Sequence, residues 1–255
     1  MARHFYKYHG TGNDFILIDN TRGDFGDLSS KDIAAMCHRN FGIGADGLIL
    51  LQNTDLADFE MVYFNSDGHP GSMCGNGGRC ATHLAQQRSL VGERGTFLGP
   101  DGLHQFRINE DQISISMGDV TEVNTLENGL FVDTGSPHLI CFVDALNTVN
   151  VMAQGRKLRD EFGPSGTNVN FVCQKDGQYS MRTYERGVEA ETLSCGTGAT
   201  AVAIALKEVY GLNQESITLE TLGGKLTVSA TKKDGHYVNV WLTGPVVFVF
   251  KGELF

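Results

Sequence analysis

The chain has 255 residues, of which 41% are hydrophobic and 20% charged, so it can bury a sizeable core in one large domain or two small ones. Its formal net charge of −10, without any run of Lys and Arg, argues against binding to nucleic acid or to an anionic membrane. No apolar run approaches the roughly 20 residues that cross a bilayer. We expect a globular protein whose partner is a small molecule.

The cysteines do not form a disulfide or metal framework. The first residues lack the apolar core of a signal peptide, and no paired Cys-x-x-Cys spacing of a metal site occurs. The six cysteines stand at positions 37, 74, 80, 141, 173 and 195. We therefore expect a reduced, cytoplasmic protein without a metal, and we interpret Cys37, Cys80, Cys141 and Cys173 as small hydrophobic residues.

The first half of the chain predicts a turn, an apolar strand and a helix. Residues 10–19 contain a glycine turn followed by an apolar strand, and residues 29–32 form a capping sequence for a helix through Cys37. Residues 60–65 alternate like a strand that ends at a polar residue. A glycine turn then leads to Met73-Cys74-Gly75-Asn76-Gly77-Gly78 and a helix of small residues.

The second half repeats this order. Residues 134–144 again predict a turn and an apolar strand, and residues 179–185 predict a second alternating strand. The block Ser194-Cys195-Gly196-Thr197-Gly198-Ala199 then begins an apolar helix. Cys74 follows Asn13 by 61 positions and Cys195 follows Ser136 by 59, so the two halves are in step.

Residues 112–117, 225–230 and 246–250 predict further strands, and residues 118–124 predict the junction of the halves. The N-terminal lobe would span residues 1–119 and carry Cys74, and the C-terminal lobe would span residues 120–244 and carry Cys195. We predict an α+β class with two pseudo-symmetric lobes and a cleft between them. Each lobe would be a mixed or antiparallel sheet wrapped around a central helix, because the helices after the cysteines are apolar on nearly every side.

Two activated thiols suit the inversion of an α-carbon. Inversion needs a base on one face and an acid on the other, because a single group acting on one face regenerates the starting isomer. A position just before a helix N-terminus favours the thiolate, and both Cys74 and Cys195 have it. The glycines beside them expose backbone N–H groups that could hold a carboxylate and stabilise charge moving into it. This scheme needs neither a metal nor pyridoxal phosphate.

Each feature also has a simpler interpretation. One Cys-Gly-x-Gly is more often a tight turn than a catalytic site, and the repetition of the motif is what favours function. His138 alone would be a satisfied core or surface histidine, but its place on the loop corresponding to Asn13 favours a role in tuning a thiol. Asn65 and Asn168 could be turn residues, and Glu185-Arg186 could be a surface pair.

These motifs together resemble the diaminopimelate epimerase family over essentially the whole chain. The matching stretches are residues 10–15, 42–47, 64–68, 73–77, 167–171, 184–187 and 194–198. The resemblance implies a cofactor-independent epimerase that interconverts LL- and meso-2,6-diaminopimelate in lysine and peptidoglycan precursor biosynthesis, with thiolate and thiol exchanging roles according to direction. It also implies that the last strand, about residues 245–255, packs back on the N-terminal lobe, and it is compatible with a homodimer.

The resemblance implies a role for each site residue. Gly75, Asn76, Gly196 and Thr197 would hold the reacting carboxylate through backbone N–H groups. Asn13, Asn65 and Asn168 would read the distal amino-acid group, and Arg186 would pair with its carboxylate, for which the guanidinium fork is suited. Glu185 would meet the reacting amino group and, like His138, influence a cysteine pKa.

The chain departs from some family members at two positions. Gly47 stands where some have an amide side chain, and Ser136 where some have Asn, so two polar contacts to the distal end would be missing or water-mediated. In proline racemases the first cysteine motif resembles Cys-Gly-His-Gly, whereas this chain has Asn76 at the position of the histidine. A racemase of another amino acid such as histidine, and a non-catalytic binder of carboxylate or phosphate, stay open as alternatives.

Overall fold

The computed structural model describes residues 3–26 and 28–254, and the fold is α+β. The chain divides into two compact units, Met1–Ile115 with Gly244–Phe255, and Ser116–Thr243. The first two residues of the predicted N-terminal lobe and residue 255 of the predicted last strand lie outside the described residues.

The elements follow in chain order. The first unit contains β1 (Arg3–Gly10), β2 (Asn13–Asp19), α1 (Ser30–Cys37), β3 (Gly47–Gln52), β4 (Phe59–Asn65), α2 (Gly75–Gln87), β5 (Arg94–Gly99), β6 (Gly102–Asn109) and β7 (Gln112–Ser116). The second contains β8 (Val123–Leu126), β9 (Gly129–Asp133), β10 (Pro137–Phe142), a 3₁₀ turn (Leu146–Thr148), α3 (Val151–Asp160), β11 (Asn168–Lys175), β12 (Gln178–Glu185), β13 (Ala190–Thr192), α4 (Gly196–Tyr210), β14 (Ser216–Thr221), β15 (Gly224–Lys233) and β16 (His236–Pro245). The chain then ends with β17 (Val247–Leu254).

The strands of the first unit form a mixed sheet. β1 pairs antiparallel with both β17 and β2, so the end of the chain belongs to this unit. β2 pairs parallel with β3, where Phe15 lies opposite Gly47, and β3 pairs antiparallel with β4. β4 pairs parallel with β5, and β5, β6 and β7 follow as an antiparallel meander.

The second unit has the same order of pairings. β9 pairs antiparallel with β8 and β10, and β10 pairs parallel with β11, where His138 lies opposite Asn168. β11 pairs antiparallel with β12, β12 pairs parallel with β14, and β14, β15 and β16 are antiparallel neighbours. The register therefore equates β2 with β10, β3 with β11 and β4 with β12, and the repeat in the sequence is a repeat of topology.

Each unit has one helix that is buried on almost every side and one that packs on the outside of its sheet. α2 contacts β1 to β4, and α4 contacts β9, β10, β11, β14 and β15. α4 is buried from Gly196 to Lys207 apart from Thr197, which fits a central helix of small and apolar residues. α1 and α3 instead cover apolar clusters that include Ile16 and Leu48 in the first unit and Val169 and Phe171 in the second.

The helix and strand predictions with local signals are confirmed. Ser29 and Asp32 form a capping box before α1, which ends at Cys37. The two alternating strands are β4 and β12, and the two helices after the cysteines are α2 and α4. α4 ends at Tyr210 and is capped by Gly211, whose φ of 59° gives the left-handed conformation that favours glycine.

Across residues 3–26 and 28–254, no helix has both the length and the apolar character needed to cross a membrane.

Gly155 should be required for the packing of α3 against β12. A Cβ at this position would lie 2.4 Å from the Tyr184 Cβ, so Gly155→Ala forces the helix away from the strand. Overpacking of this kind costs about 1–3 kcal/mol, which we expect as a loss in the free energy of unfolding measured with urea. Gly92→Ala, where no atom lies within 4 Å of the new Cβ, is the control and should change stability by less than about 0.5 kcal/mol. Equal stability of the two variants would contradict the packing argument.

Candidate active site

Cys74 is the residue from which α2 begins. It has an extended backbone (φ −118°, ψ 111°), and its carbonyl accepts the first helical hydrogen bond from the Gly78 N–H at 2.8 Å. The N–H groups of Gly75, Asn76 and Gly77 precede this first bond, so helix geometry directs them out of the helix end. Such an end attracts an anion, whether a carboxylate or the thiolate of Cys74 itself.

Cys195 holds the same position at α4. Its backbone is extended (φ −124°, ψ 117°), and its carbonyl accepts from the Ala199 N–H at 2.9 Å. Neither helix has an acidic residue in its first turn that would compete for the exposed N–H groups. The sequence prediction that both cysteines stand at a helix N-terminus is confirmed.

A chain of amide side chains lies beside Cys74. The Asn13 Oδ1 accepts from the Cys74 Sγ at 3.5 Å and from the Asn76 Nδ2 at 3.2 Å. The Asn13 Nδ2 donates to the Asp46 Oδ2 at 2.7 Å, and Asp46 forms an ion pair with Arg39. Because a carboxylate only accepts, Asp46 fixes the orientation of the Asn13 amide.

Arg79 lies at the other end of this series of hydrogen-bonded side chains, and the sequence analysis did not predict it. Its guanidinium is fully buried, and it donates to the Asn76 Oδ1 at 2.9 Å and to the Gly75 carbonyl at 3.4 Å. Burial lowers the pKa of Arg79 to about 10, so it is still charged at neutral pH. The signal was a charged residue inside a helix of small residues, where the second repeat has Thr200.

A tight turn and a glycine set the edge of the sheet near Cys74. Thr11 and Gly12 both have positive φ (49° and 85°), which is the type I′ hairpin that places Asn13 at the start of β2. Gly47 starts β3 opposite Asn65, the last residue of β4. A Cβ on Gly47 would lie 2.5 Å from the Phe64 carbonyl oxygen and 2.6 Å from the Tyr63 Cε2, so this position has no room for a side chain. Asn65 is exposed at this edge.

His138 lies beside Cys195 through one intermediate residue. Its Nε2 is 3.0 Å from the Thr197 Oγ1, which is 3.4 Å from the Cys195 Sγ. Sequence reasoning placed His138 on a loop, and this is wrong: it is the second residue of β10 and fully buried, because the strand begins directly at Pro137. Burial, followed by the charge of Arg186, lowers the pKa of His138 to about 3, so the ring is neutral.

Asn170 holds the other side of the His138 ring and was also missed. Its Nδ2 is 3.1 Å from the His138 Nδ1, and its Oδ1 accepts from the Thr183 hydroxyl at 2.9 Å. The signal was an asparagine in the middle of an apolar run, where a buried polar group needs hydrogen-bond partners.

The other predicted residues of the second unit lie at the ends of β11 and β12. Asn168 starts β11, is buried, and donates to the Ser136 Oγ and the Pro137 carbonyl, both at 2.9 Å. Its Oδ1 accepts from the Arg186 backbone N–H at 2.9 Å, so the Asn168 side chain positions Arg186. The Arg186 guanidinium donates to the Ser165 carbonyl at 3.2 Å. Glu185 is the last residue of β12 and is half-buried.

Within the part of the chain that the structure describes, no group of three or more His, Cys, Asp or Glu side chains could hold a metal ion.

Solved structures of similar fold include proteins with other activities. A phenazine biosynthesis protein of the PhzF family from Bacillus anthracis superposes with a TM-score of 0.79 at 15% identity, covering 100% of this chain and 99% of that chain. A hydroxyproline epimerase from Agrobacterium vitis, with bound trans-4-hydroxy-L-proline, has a TM-score of 0.71 at 15% identity, covering 99% and 92%. These similarities establish the two-lobed α+β fold.

Sequence relatives are more specific. A diaminopimelate epimerase of Flavobacterium psychrophilum is 51% identical over 250 residues, which cover 96% of this chain and 98% of the relative. A diaminopimelate epimerase of Chlorobaculum tepidum is 39% identical over 259 residues, with 96% and 98% covered. The sequence model of the family described as diaminopimelate epimerase matches residues 5–123 and 130–249. The chain therefore belongs to the diaminopimelate epimerase family.

Proposed function

We propose that this protein interconverts LL- and meso-2,6-diaminopimelate, without a cofactor, as a step in lysine and peptidoglycan precursor biosynthesis. Membership of the family supports the substrate. The observation that carries the chemistry is that each unit begins its buried helix with a cysteine, Cys74 or Cys195. A cytoplasmic location is supported by Cys37, Cys80, Cys141 and Cys173, which are free thiols.

In the proposed mechanism, the two sulfurs act on opposite faces of one α-carbon. One thiolate takes the α-proton and becomes a thiol, while the other thiol gives its proton to the opposite face and becomes a thiolate. The numbers of protons and charges are conserved, and the enzyme returns with the two roles exchanged. The reverse reaction then starts from the exchanged form.

The carboxylate of the reacting centre would be held by both helix ends. The backbone N–H groups of Gly75 and Asn76, and of Gly196 and Thr197, are the donors we assign to it. When the α-proton leaves, negative charge moves into this carboxylate, and fixed N–H dipoles stabilise that charge without reorganising. Glu185 would bind the reacting amino group and, with His138, influence the pKa of a cysteine.

The distal end of the substrate would be read by Arg186, Asn13 and Asn65. Arg186 would form a bidentate pair with the distal carboxylate, and Asn168 contributes by holding the Arg186 backbone. The missing amide at Gly47 would not fit, because this position has no room for a side chain.

A homodimer is supported by the surface of β17. Val247, Phe248, Val249 and Phe250 are four consecutive apolar residues, and each exposes between 44% and 50% of its surface. A soluble monomer seldom exposes such a continuous apolar strand. A second copy of the chain is the occupant that we propose, since a two-fold axis places the same apolar strand against itself. We expect no nucleic-acid partner, because the net charge is −10.

Replacing either catalytic cysteine should abolish epimerisation. Cys74→Ala and Cys195→Ala each leave one face of the α-carbon without a proton carrier. We expect the conversion of LL- to meso-diaminopimelate to fall to background, measured by proton NMR in deuterated water. Cys173→Ala is the control and should keep full activity, because this thiol bonds only the Asp144 carbonyl among the contacts of the described residues. Epimerisation that survives in either catalytic variant would disprove the two-base mechanism.

Arg186→Lys should reduce kcat/KM by about tenfold to a hundredfold, because the charge is kept while the guanidinium fork is lost, and charge-assisted hydrogen bonds contribute roughly 1.5–3 kcal/mol. The loss should shrink for an amino acid that lacks the second carboxylate. Arg107→Lys, on β6 of the first unit, is the control for a mild arginine change. If kcat/KM falls equally for the two substrates, Arg186 does not bind the distal carboxylate.

Phe250→Glu should convert a dimer into a monomer, because a buried charge would face its own copy across the two-fold axis. Sedimentation velocity at micromolar concentration is the measurement. Leu103→Glu introduces the same charge at another exposed apolar residue of the first unit, 60% exposed, and should leave the dimer intact. A wild-type protein that sediments as a monomer would reject the proposed interface.

A further inference from the structure

The two cysteines occupy the same place in each unit but have different surroundings. Phe15 lies opposite Gly47 in the first unit, and His138 lies opposite Asn168 in the second. The register therefore puts His138 where the first unit has Phe15. On the neighbouring strands, Asn170 lies two residues after Asn168, and Ile49 lies two residues after Gly47, so Asn170 stands where the first unit has Ile49. Polar side chains in the second unit thus stand where the first unit has apolar side chains.

The orientation of the Asn170 amide is fixed by its neighbours. Its Nδ2 lies 3.3 Å from the Leu139 carbonyl oxygen, which can only accept a hydrogen bond. Its Oδ1 lies 2.9 Å from the Thr183 hydroxyl, which can donate. The NH₂ group must therefore face the Leu139 carbonyl, and the same NH₂ group faces the His138 Nδ1 at 3.1 Å.

This orientation sets the direction of every hydrogen bond up to the sulfur. The His138 Nδ1 accepts from Asn170, so the proton of the neutral ring is on Nε2. The Nε2–H then donates to the Thr197 Oγ1 at 3.0 Å. With that oxygen acting as acceptor, the hydroxyl proton of Thr197 is available to the Cys195 Sγ at 3.4 Å. A donor directed at sulfur favours the thiolate.

The hydrogen bonds that lead to the Cys74 sulfur run in the opposite direction. Arg79 only donates, so it turns the Asn76 Oδ1 towards itself and the Asn76 Nδ2 towards Asn13. Asp46 only accepts and takes the Asn13 Nδ2. Both ends of the chain thus present the Asn13 Oδ1 to the Cys74 Sγ at 3.5 Å. An acceptor beside sulfur favours the protonated thiol.

We propose that Asn170 is a positioning residue which fixes His138 as an Nε2–H donor and thereby makes Cys195 the thiolate, with Cys74 the thiol, in the substrate-free enzyme. This inference rests on the proposed function and adds an asymmetry to it. The substrate-free enzyme is set to accept the isomer whose α-proton faces Cys195. The other isomer requires the two sulfurs to exchange their protonation states first.

Each sulfur has charged or titratable groups near it. Beside Cys195, His138 on β10 is the titratable group that Thr197 links to the sulfur, and the charge of Arg186 acts on that histidine. The turn after β9 and strand β11 add the neutral Thr134 and Asn170. Near Cys74 they include Arg79 and Cys80 of α2 itself. The charge of Arg79 favours a Cys74 thiolate, but it acts more strongly on Cys80 than on Cys74, whereas Asn13 contacts the Cys74 sulfur directly.

Alkylation by iodoacetamide, resolved for each cysteine by peptide mass mapping across pH, tests the assignment without substrate. In the wild-type protein the pH midpoint for Cys195 should lie below that for Cys74. Asn170→Leu removes the donor to His138 without adding charge, so alkylation of Cys195 at pH 7 should fall roughly tenfold while that of Cys74 stays within about twofold. Ile49→Leu introduces leucine at the matched position of the first unit and should leave the alkylation of both cysteines unchanged.

The opposite order of midpoints, or equal effects of Asn170→Leu on both cysteines, would overturn the proposal. If Asn170→Leu does not fold, nitrogen-15 NMR of histidine-labelled wild-type protein still decides. A proton on the His138 Nε2 supports the proposal, and a proton on Nδ1 refutes it. Failure of the protein to epimerise diaminopimelate would reject the proposed function alone, because neither measurement uses that substrate.

Discussion

Each long helix begins at a cysteine and is buried on almost every side by the strands of its own unit, and this burial constrains the residues around it. α2 and α4 have room only for glycine, alanine and a few larger side chains, because interiors are packed closely. At Gly198, a Cβ would lie 2.7 Å from the Asn170 Oδ1 and 3.3 Å from the Cys195 Sγ. The glycine motif therefore serves packing as well as the exposure of backbone N–H groups.

The repeat of topology explains how one scaffold can hold two different thiol environments. Register positions that pack against a buried helix can be polar only where every polar atom finds a partner. His138, Asn170 and Thr183 satisfy one another in the second unit, whereas Phe15, Ile49 and Tyr63 stand at the matched positions of the first. The first unit instead brings its polar groups from the hairpin turn and from α2, through Asn13, Asn76 and Arg79.

Local patterns in the sequence predict the elements that carry the site, but not the contacts between them. The capping box of α1, the alternation of β4 and β12 and the repeated Cys-Gly-x-Gly all act within a few residues. α3 was not predicted: Asn150 caps its N-terminus, but its run contains a glycine that only the distant Tyr184 explains. Asn170 meets His138 and Thr183 only where strands far apart in sequence pair, and Arg79 contacts Asn76 of its own helix, whose link to Asn13 depends on the fold. β17 was predicted as an apolar strand, yet an apolar run alone does not specify burial, and Phe248 is 47% exposed.

The residues that we assign to the carboxylate also belong to the chains that orient the thiols. Thr197 would bind through its backbone N–H while its hydroxyl lies between His138 and Cys195, and Asn76 has the same two roles beside Asn13. A carboxylate that pulls on the backbone of either residue therefore acts on the hydrogen bond to the adjacent sulfur. Because both chains are complete without a ligand, their orientation is established on folding and costs nothing further when substrate binds. In the proposed mechanism, substrate binding and proton transfer would thus depend on the same two residues, one at each helix end.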